Sequence, residues 1–177
     1  HADVAVVAAR SVSTVALYLL SLDQPGVERV ARQSLDPTQP IASLRFTAAR
    51  AERLPGATHW RDIQSLLDRA AVLFAFEQIG TAEAALEMAR RYALSRVAFG
   101  RLIGSFQAIK HKLAEVYIAN EFARANAHYA AWALESDGAD LPLAASTLRV
   151  AACEALERAS RENMQIHGGV SATWAND

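Results

Sequence analysis

Between Arg96 and His111 the chain reads RVAFGRLIGSFQAIKH, a join between two long helical patterns. Gly100 and Gly104 break the helix there, and a plain linker has no need of Arg96, Phe99, Phe106 and Gln107 around the break. The guanidinium has two uses. Arg96 can cap the free carbonyls at a helix C-terminus, where a cation is favoured, with Phe99 plugging the bundle end and Gly100 supplying the turn. Alternatively its planar fork can grip a diphosphate while Gly100 lets a ligand approach the backbone. Gln107, one turn further on, either reads the edge of a ring or solvates the surface.

A second cluster, QIHGGVSATW, runs from Gln165 to Trp174. Gly168 and Gly169 after a helix can present N–H groups to an anion, and a glycine pair is equally a common helix stop. His167 beside them reads as structural. It has no metal-ligand spacing to His1, His59, His111 or His128, so no metal site is expected. Cys153, the single cysteine, lies in RVAACEALERA and reads as a small buried hydrophobe. It excludes a disulfide within the chain and fits a reducing cytoplasm. Arginine outnumbers lysine 16 to 2, so most cations can bind phosphate or carboxylate in bidentate fashion.

The elements that must position these residues form two patterns. With 177 residues, 52% hydrophobic and 21% charged, the chain is an ordinary globular sequence, and a net charge of −1 gives no reason to expect a nucleic-acid binder. No apolar run approaches the ~20 residues of a membrane span. Residues 1–56 read as β structure: DVAVVAAR, TVALYLLSLD, VERVARQSL and IASLRFTAA, with Pro-rich turns, suggest part of a sandwich or barrel with open edges. ERLPGATHW marks a boundary, and residues 57–177 read as helical.

The first helix should run from near Arg61 to near Arg96, roughly 50 Å at ~1.5 Å per residue. Its stretch AAVLFAF, Ala70 to Phe76, is apolar on every side, which calls for burial all round by other segments or another subunit. Ser105 is the expected N-cap of the second helix. The seam of that helix is Phe106, Ile109, Leu113, Val116, Ala123, Ala127, Ala130 and Leu134, with Asn120 as a register-fixing polar member. The third, about Leu143 to Ile166, has the seam Leu148, Ala152, Ala155, Ala159 and Ile166. Together they predict an antiparallel up-down bundle, with a fourth helix expected past Asp177 or from a partner.

Taken together, the two clusters resemble the acyl-CoA dehydrogenase family. Its motif Y-x-x-x-R-x-x-F-G-x-x-I-x-x-F-Q-x-x-x-H-x-L-A is matched at Tyr92, Arg96, Phe99, Gly100, Ile103, Phe106, Gln107, His111, Leu113 and Ala114. Its Q-x-x-G-G-x-G is met by Gln165, Gly168 and Gly169 and departs at Ser171. The N-terminal stretches AD-x-x-x-V-x-A-R, D-x-x-G-V, LD-x-T and ERLPG are similar to the end of the family's middle β-domain, so the resemblance spans essentially the whole chain.

The resemblance implies a mainly α fold: a C-terminal helical bundle following a partial β-domain. It implies FAD as cofactor, an acyl-CoA substrate converted to trans-2-enoyl-CoA, a homo- or hetero-oligomer (commonly a tetramer) and an electron-transfer flavoprotein as electron acceptor. By position, Arg96, Phe99, Gln107, Gln165, Gly168 and Gly169 would contact the FAD of a neighbouring subunit, with the Arg on the diphosphate and the Phe beside the nucleotide. The catalytic residue stays unassigned. Most members carry their carboxylate base beyond the Gly-Gly turn, at a place past Asp177. Others carry it on the first bundle helix, where this chain has Ala70; Glu77, two turns on, reads as a structural or a surface group. Ala175 also stands where a Glu often follows "TW". A non-catalytic assembly subunit of a heteromeric dehydrogenase is therefore the alternative.

Overall fold

The computed structural model describes residues 2–11, 14–36, 38–56, 59–136 and 139–173. The expectations attached to Trp174 and Ala175, and the middle of the ERLPGATHW boundary, fall outside these residues. The chain divides into two compact units, residues 1–66 and 67–177.

In the first unit β1 (Val4–Ser11) pairs antiparallel with β2 (Thr14–Ser21), in a register running from Val4↔Ser21 to Ser11↔Thr14. β3 (Val27–Arg32) and β4 (Ile41–Phe46) form a separate antiparallel pair, and β5 (Glu52–Arg53) joins the free edge of β2. The four longer strands lie where the alternation places them; the two-residue β5 is too short to leave a periodic trace. Side-chain bonds tie the connections together. Gln24 Nε2 donates to the carbonyls of Ser21 (2.8 Å) and Arg50 (2.9 Å), while its Oε1 accepts the Arg50 N–H at 3.0 Å. Gly26 has φ 87°, and a Cβ there would sit 2.2 Å from the Thr47 carbonyl oxygen, so only glycine permits that crossing. Val4, Val6, Ile41 and Leu44 are exposed.

The helical elements are α1 (Trp60–Ser95), α2 (Gln107–Glu135) and α3 (Leu141–His167). All three are rich in Ala, Leu, Glu and Arg, the strong helix formers, and Pro142 opens α3, where its missing N–H is no loss. Val72, Ala75 and Ile79 of α1 pack with Ala123, Ala127 and Ala130 of α2 and with Ala144, Leu148, Ala152 and Ala155 of α3. Small side chains let the backbones approach closely, and Leu148 and Val72, both 0% exposed, supply the bulk.

All five predicted seam residues of α3 are buried. On α2 the buried seam is Val116, Asn120, Ala123, Ala127, Ala130 and Ala133. Leu134 and the N-terminal members Ile109 and Leu113 are only partly buried, and Phe106 precedes the helix. Asn120 is 2% exposed, with neither amide atom hydrogen-bonded, a polar mark in an apolar seam.

Within AAVLFAF, Val72 and Ala75 are buried against α2 and α3, whereas Leu73, Phe74 and Phe76 are exposed among the described residues, on the side whose covering was expected from other segments or another subunit. Two expectations need correction. Cys153 is exposed, one position beyond the seam residue Ala152, and its Sγ accepts a bond from Gln78 Nε2 at 3.4 Å. Ser105 is not the N-cap of α2. It ends a short 3-10 turn, Ile103–Ser105, and donates its hydroxyl to the Leu102 carbonyl at 2.7 Å; Phe106 occupies the cap position instead.

Candidate functional site

The join between α1 and α2 is more than a bent helix. Val97–Ala98 (β6) and Arg101–Leu102 (β7) pair as a miniature hairpin, with Val97 opposite Leu102 and Ala98 opposite Arg101. The Ile103 N–H donates to the Arg96 carbonyl at 2.9 Å and extends the ladder by one residue. Phe99 and Gly100 form the two-residue turn with φ 52° and 77°. Positive φ at both central positions is the geometry that matches the twist of a tight hairpin. Gly100 adopts it freely, whereas Phe99 holds a conformation unfavourable for a residue with a Cβ and keeps its side chain 96% exposed. Gly104 has a different purpose: a Cβ there would lie 2.8 Å from the Ala93 carbonyl oxygen, so the 3-10 turn can lie against the end of α1 only without a side chain.

α3 ends beside this hairpin. Gly168 closes the helix with its N–H on the Met164 carbonyl and turns the chain at φ 65° and ψ −141°, a region left essentially to glycine. Residues Gly168–Ala172 continue as a 3-10 turn. Ser171, the departure from the glycine motif, donates its hydroxyl back to the Gly168 carbonyl at 2.7 Å and fits the turn without positive φ.

Stacked rings join the two clusters. Tyr92 and His167 lie with centroids 4.2 Å apart and planes at 24°. His167 is 8% exposed, and its Nδ1 is 2.9 Å from the Asn163 carbonyl oxygen. A carbonyl only accepts, so Nδ1 carries the hydrogen of this bond. Beneath the stack, Ala89, Ala93 and Ile166 form a small core with Ile103, Ile109 and Leu113 around it. Above it opens a cleft of about 490 Å³ whose lining includes Tyr92, Arg96, Ala98, His167, Gly169 and Thr173.

Of the six predicted binding residues, Arg96 and Gly169 line this cleft, and Gly168 is the residue next to it. Phe99 stands at the hairpin tip. Gln107 is the first residue of α2, with its Nε2 3.3 Å from His111 Nε2. Gln165 is exposed on the last turn of α3 and does not line the cleft. Ala70 is half-buried and Glu77 exposed, both far back along α1 from the corner. A second cleft of about 380 Å³, between α2 and α3 around Ile118, Phe122 and Arg158, holds none of the predicted residues. No group of three or more His, Cys, Asp or Glu is placed to hold a metal among the described residues.

Charge pairing separates Arg96 from most arginines around it. Arg90 and Arg91 lie on Glu87 at 2.6 and 2.7 Å, and these two guanidiniums, Arg90 foremost, hold the Glu87 carboxyl at about 2, well below its ordinary value. Arg124 pairs with Glu83 at 3.1 Å, which raises its own value. Arg158 pairs with Glu115 and Arg161 with Glu157, Arg149 bonds the Gln78 side chain, and Arg69 is also engaged. Among the described residues of 67–177, only Arg96 and Arg101 carry no hydrogen bond or ion pair on the guanidinium. Arg101 instead lies flat over Phe106, 4.0 Å from the ring centroid, and the Phe99 ring meets the same Phe106 edge-on at 6.3 Å. Arg101 and the Tyr92–His167 stack were not singled out from sequence. For Arg101 the sequence carries no hairpin signal, since Phe-Gly is not a usual turn pair and the run around it is short; the stack joins residues 75 positions apart, which no local pattern reveals.

A three-helix unit with this sequence and fold has known relatives. Residues 60–177 match the acyl-CoA dehydrogenase C-terminal domain, and the chain belongs to the acyl-CoA dehydrogenase family, a family of oxidoreductases. It is 42% identical over 147 residues to the acyl-CoA dehydrogenase IpdE2 of Mycobacterium tuberculosis, covering 81% of this chain and 41% of that one. Among solved structures it is similar to the ChsE4–ChsE5 complex of Mycobacterium tuberculosis, with TM-score 0.83, 28% identity, and 99% of this chain over 47% of that one. It is similar too to glutaryl-CoA dehydrogenase of Mycobacterium smegmatis, with TM-score 0.90, 27% identity, and 99% of this chain over 46% of that one. The chain thus spans less than half the length of these relatives. No helix among the described residues is long and apolar enough to cross a membrane.

Proposed function

We propose that this chain is the FAD-binding and assembly segment of a cytoplasmic acyl-CoA dehydrogenase that converts an acyl-CoA thioester to the trans-2-enoyl-CoA. The observation that carries the reading is the unpaired, exposed guanidinium of Arg96 on the same cleft as Gly169. A diphosphate is costly to desolvate unless cationic or N–H donors meet it, and the corner offers a free cation, a side-chain-free turn and an exposed aromatic. The residues present therefore fit the dinucleotide. Arg96 would hold the diphosphate, Phe99 the nucleotide, and Gln107, Gln165, Gly168 and Gly169 the remaining edges. Bound there, FAD would supply the acceptor for the hydride that leaves the substrate's β-carbon.

The chain's own residues bind and orient; none of the described ones is assigned the α-proton. Leu73, Phe74 and Phe76, exposed on α1, favour work within a larger assembly, with a further helix or a neighbouring subunit over them. An electron-transfer flavoprotein is the electron acceptor on this reading.

The test is Arg96→Ala in the full-length protein that carries this segment. Flavin retained through purification should fall at least tenfold while helicity stays at the wild-type level. Unchanged retention would remove Arg96 from the site.

A second reading is favoured by Ala70, which cannot take a proton, and by the two-component name of the ChsE4–ChsE5 relative. On that reading the segment belongs to a non-catalytic subunit that lends Arg96 and Gln165 to a partner's flavin. Turnover of an acyl-CoA by a homo-oligomer of the parent protein would eliminate it.

A further inference from the structure

Arginine pairing in the helical unit is nearly complete, and both exceptions lie on one six-residue stretch. Arg96 precedes β6 and Arg101 opens β7. Ala98 is directly opposite Arg101, and Arg96, one residue before β6 and two before Ala98, accepts the Ile103 N–H with its carbonyl and so extends the pairing by one residue. Side chains two apart on a strand share a face, as do direct cross-strand neighbours. On that pairing Arg96 and Arg101 are diagonal neighbours on one face of the hairpin, a relation within reach of long side chains, and Arg101 stands outside the cleft that Arg96 lines. Neither guanidinium has an acid partner among the described residues.

Arg101 is also held in place. Its guanidinium lies over the Phe106 ring at 4.0 Å, and the exposed Phe99 ring meets that ring edge-on. Stacking occupies the face of a guanidinium and leaves its N–H donors, which lie in the plane, free at the edge. The result is a cation with restricted motion and unspent hydrogen bonds. The same contact gives Phe106 a purpose beyond filling the helix join.

We propose that Arg96 and Arg101 form a two-arginine clamp, in which Arg101 is a further binding residue that takes the second phosphate of a dinucleotide diphosphate while Arg96 takes the first. The assignment rests on the cofactor reading above and extends it to a residue outside the family motif. A pair of planar forks suits two linked phosphates better than a single phosphate. It also explains why Phe99 tolerates its unfavourable backbone: only a tight turn keeps the two arginines on facing strands.

The test uses the full-length protein in its native assembly, stripped of flavin and titrated back with FAD while the flavin fluorescence is followed. Arg101→Ala should raise the Kd at least tenfold, the loss expected for charge-assisted bonds, and Arg101→Lys should recover part of it. The double variant Arg96→Ala/Arg101→Ala should bind no more than a few-fold worse than the weaker single variant, because both groups act on one diphosphate. Circular dichroism and assembly size serve as controls. If Arg101→Ala disturbs either, Arg101→Gln, which keeps the chain length over Phe106, carries the measurement. An unchanged Kd for the Arg101 variants beside a raised Kd for Arg96→Ala would overturn the clamp and leave the cofactor reading standing. Unchanged values for both would overturn that reading as well.

Discussion

The middle of the helical unit and its corner are built to opposite rules. In the middle, the helix seams are enclosed, the arginines are paired and the backbone is regular helix: Val72, Ala127 and Leu148 are sealed, Arg124 and Arg158 each meet a carboxylate, and Arg149 meets the Gln78 amide. At the corner an aromatic residue stands almost fully in solvent, a residue with a Cβ adopts positive φ and two arginines have no acid. Each corner feature is unfavourable in isolation. Their coincidence on one hairpin is the ground for placing the proposed cofactor site there.

The largest effect should come from the middle. Leu148 is the largest fully buried side chain, and Leu148→Ala removes packing against both other helices. Such truncations cost ~2–5 kcal/mol, so the unfolding midpoint in urea should fall clearly. Flavin affinity measured on the protein that remains folded should stay within a few-fold of wild type. A variant that loses flavin affinity in proportion to stability would join the two regions into one functional unit and break the comparison.

Phe99→Asn sharpens it from the other side. Asparagine tolerates the left-handed region, so replacing a strained, exposed Phe should leave stability unchanged or raise it by up to about 1 kcal/mol. Flavin retention should fall, because the aromatic surface is gone. A drop in stability comparable to that of Leu148→Ala would show that Phe99 is packed as part of the core.

What could be read from the sequence follows the same division. The bundle was legible because burial imposes a period: Leu148, Ala152, Ala155, Ala159 and Ile166 recur at helical spacing, and all are buried. Arg96, Phe99 and the Gly-Gly turn stood out through their resemblance to a family motif, not through any period. Arg101 was missed because its role arises from a two-residue turn that places it across from Ala98, and neither Phe nor the short run around it signals a hairpin. Ser105 was misplaced because a hydroxyl before a helix reads as a cap, whereas here the 3-10 turn uses it first. Cys153 misled in another way, since one step around a helix separates a sealed alanine from an open thiol.

The smallest effect tests whether the paired arginines are spent in solution. Glu87 sits on α1 between the two regions, bonded to Arg90 and Arg91, and these partners hold its carboxyl at about 2 against an ordinary 4.5. A carboxyl depressed in the folded state adds stability above its unfolded value and loses it as the pH falls towards the folded value. The contribution should therefore be whole at pH 7, decline below about 4.5 and be gone near 2. Glu87→Gln removes it at every pH, so wild type should exceed the variant by a small margin at neutral pH, and the margin should close across that window. The pair is exposed, which keeps the margin small and sensitive to salt. A margin that stays constant from pH 7 to 2 would mean that Arg90 and Arg91 are as free as Arg96, and the contrast in charge pairing between the helix and the corner would disappear.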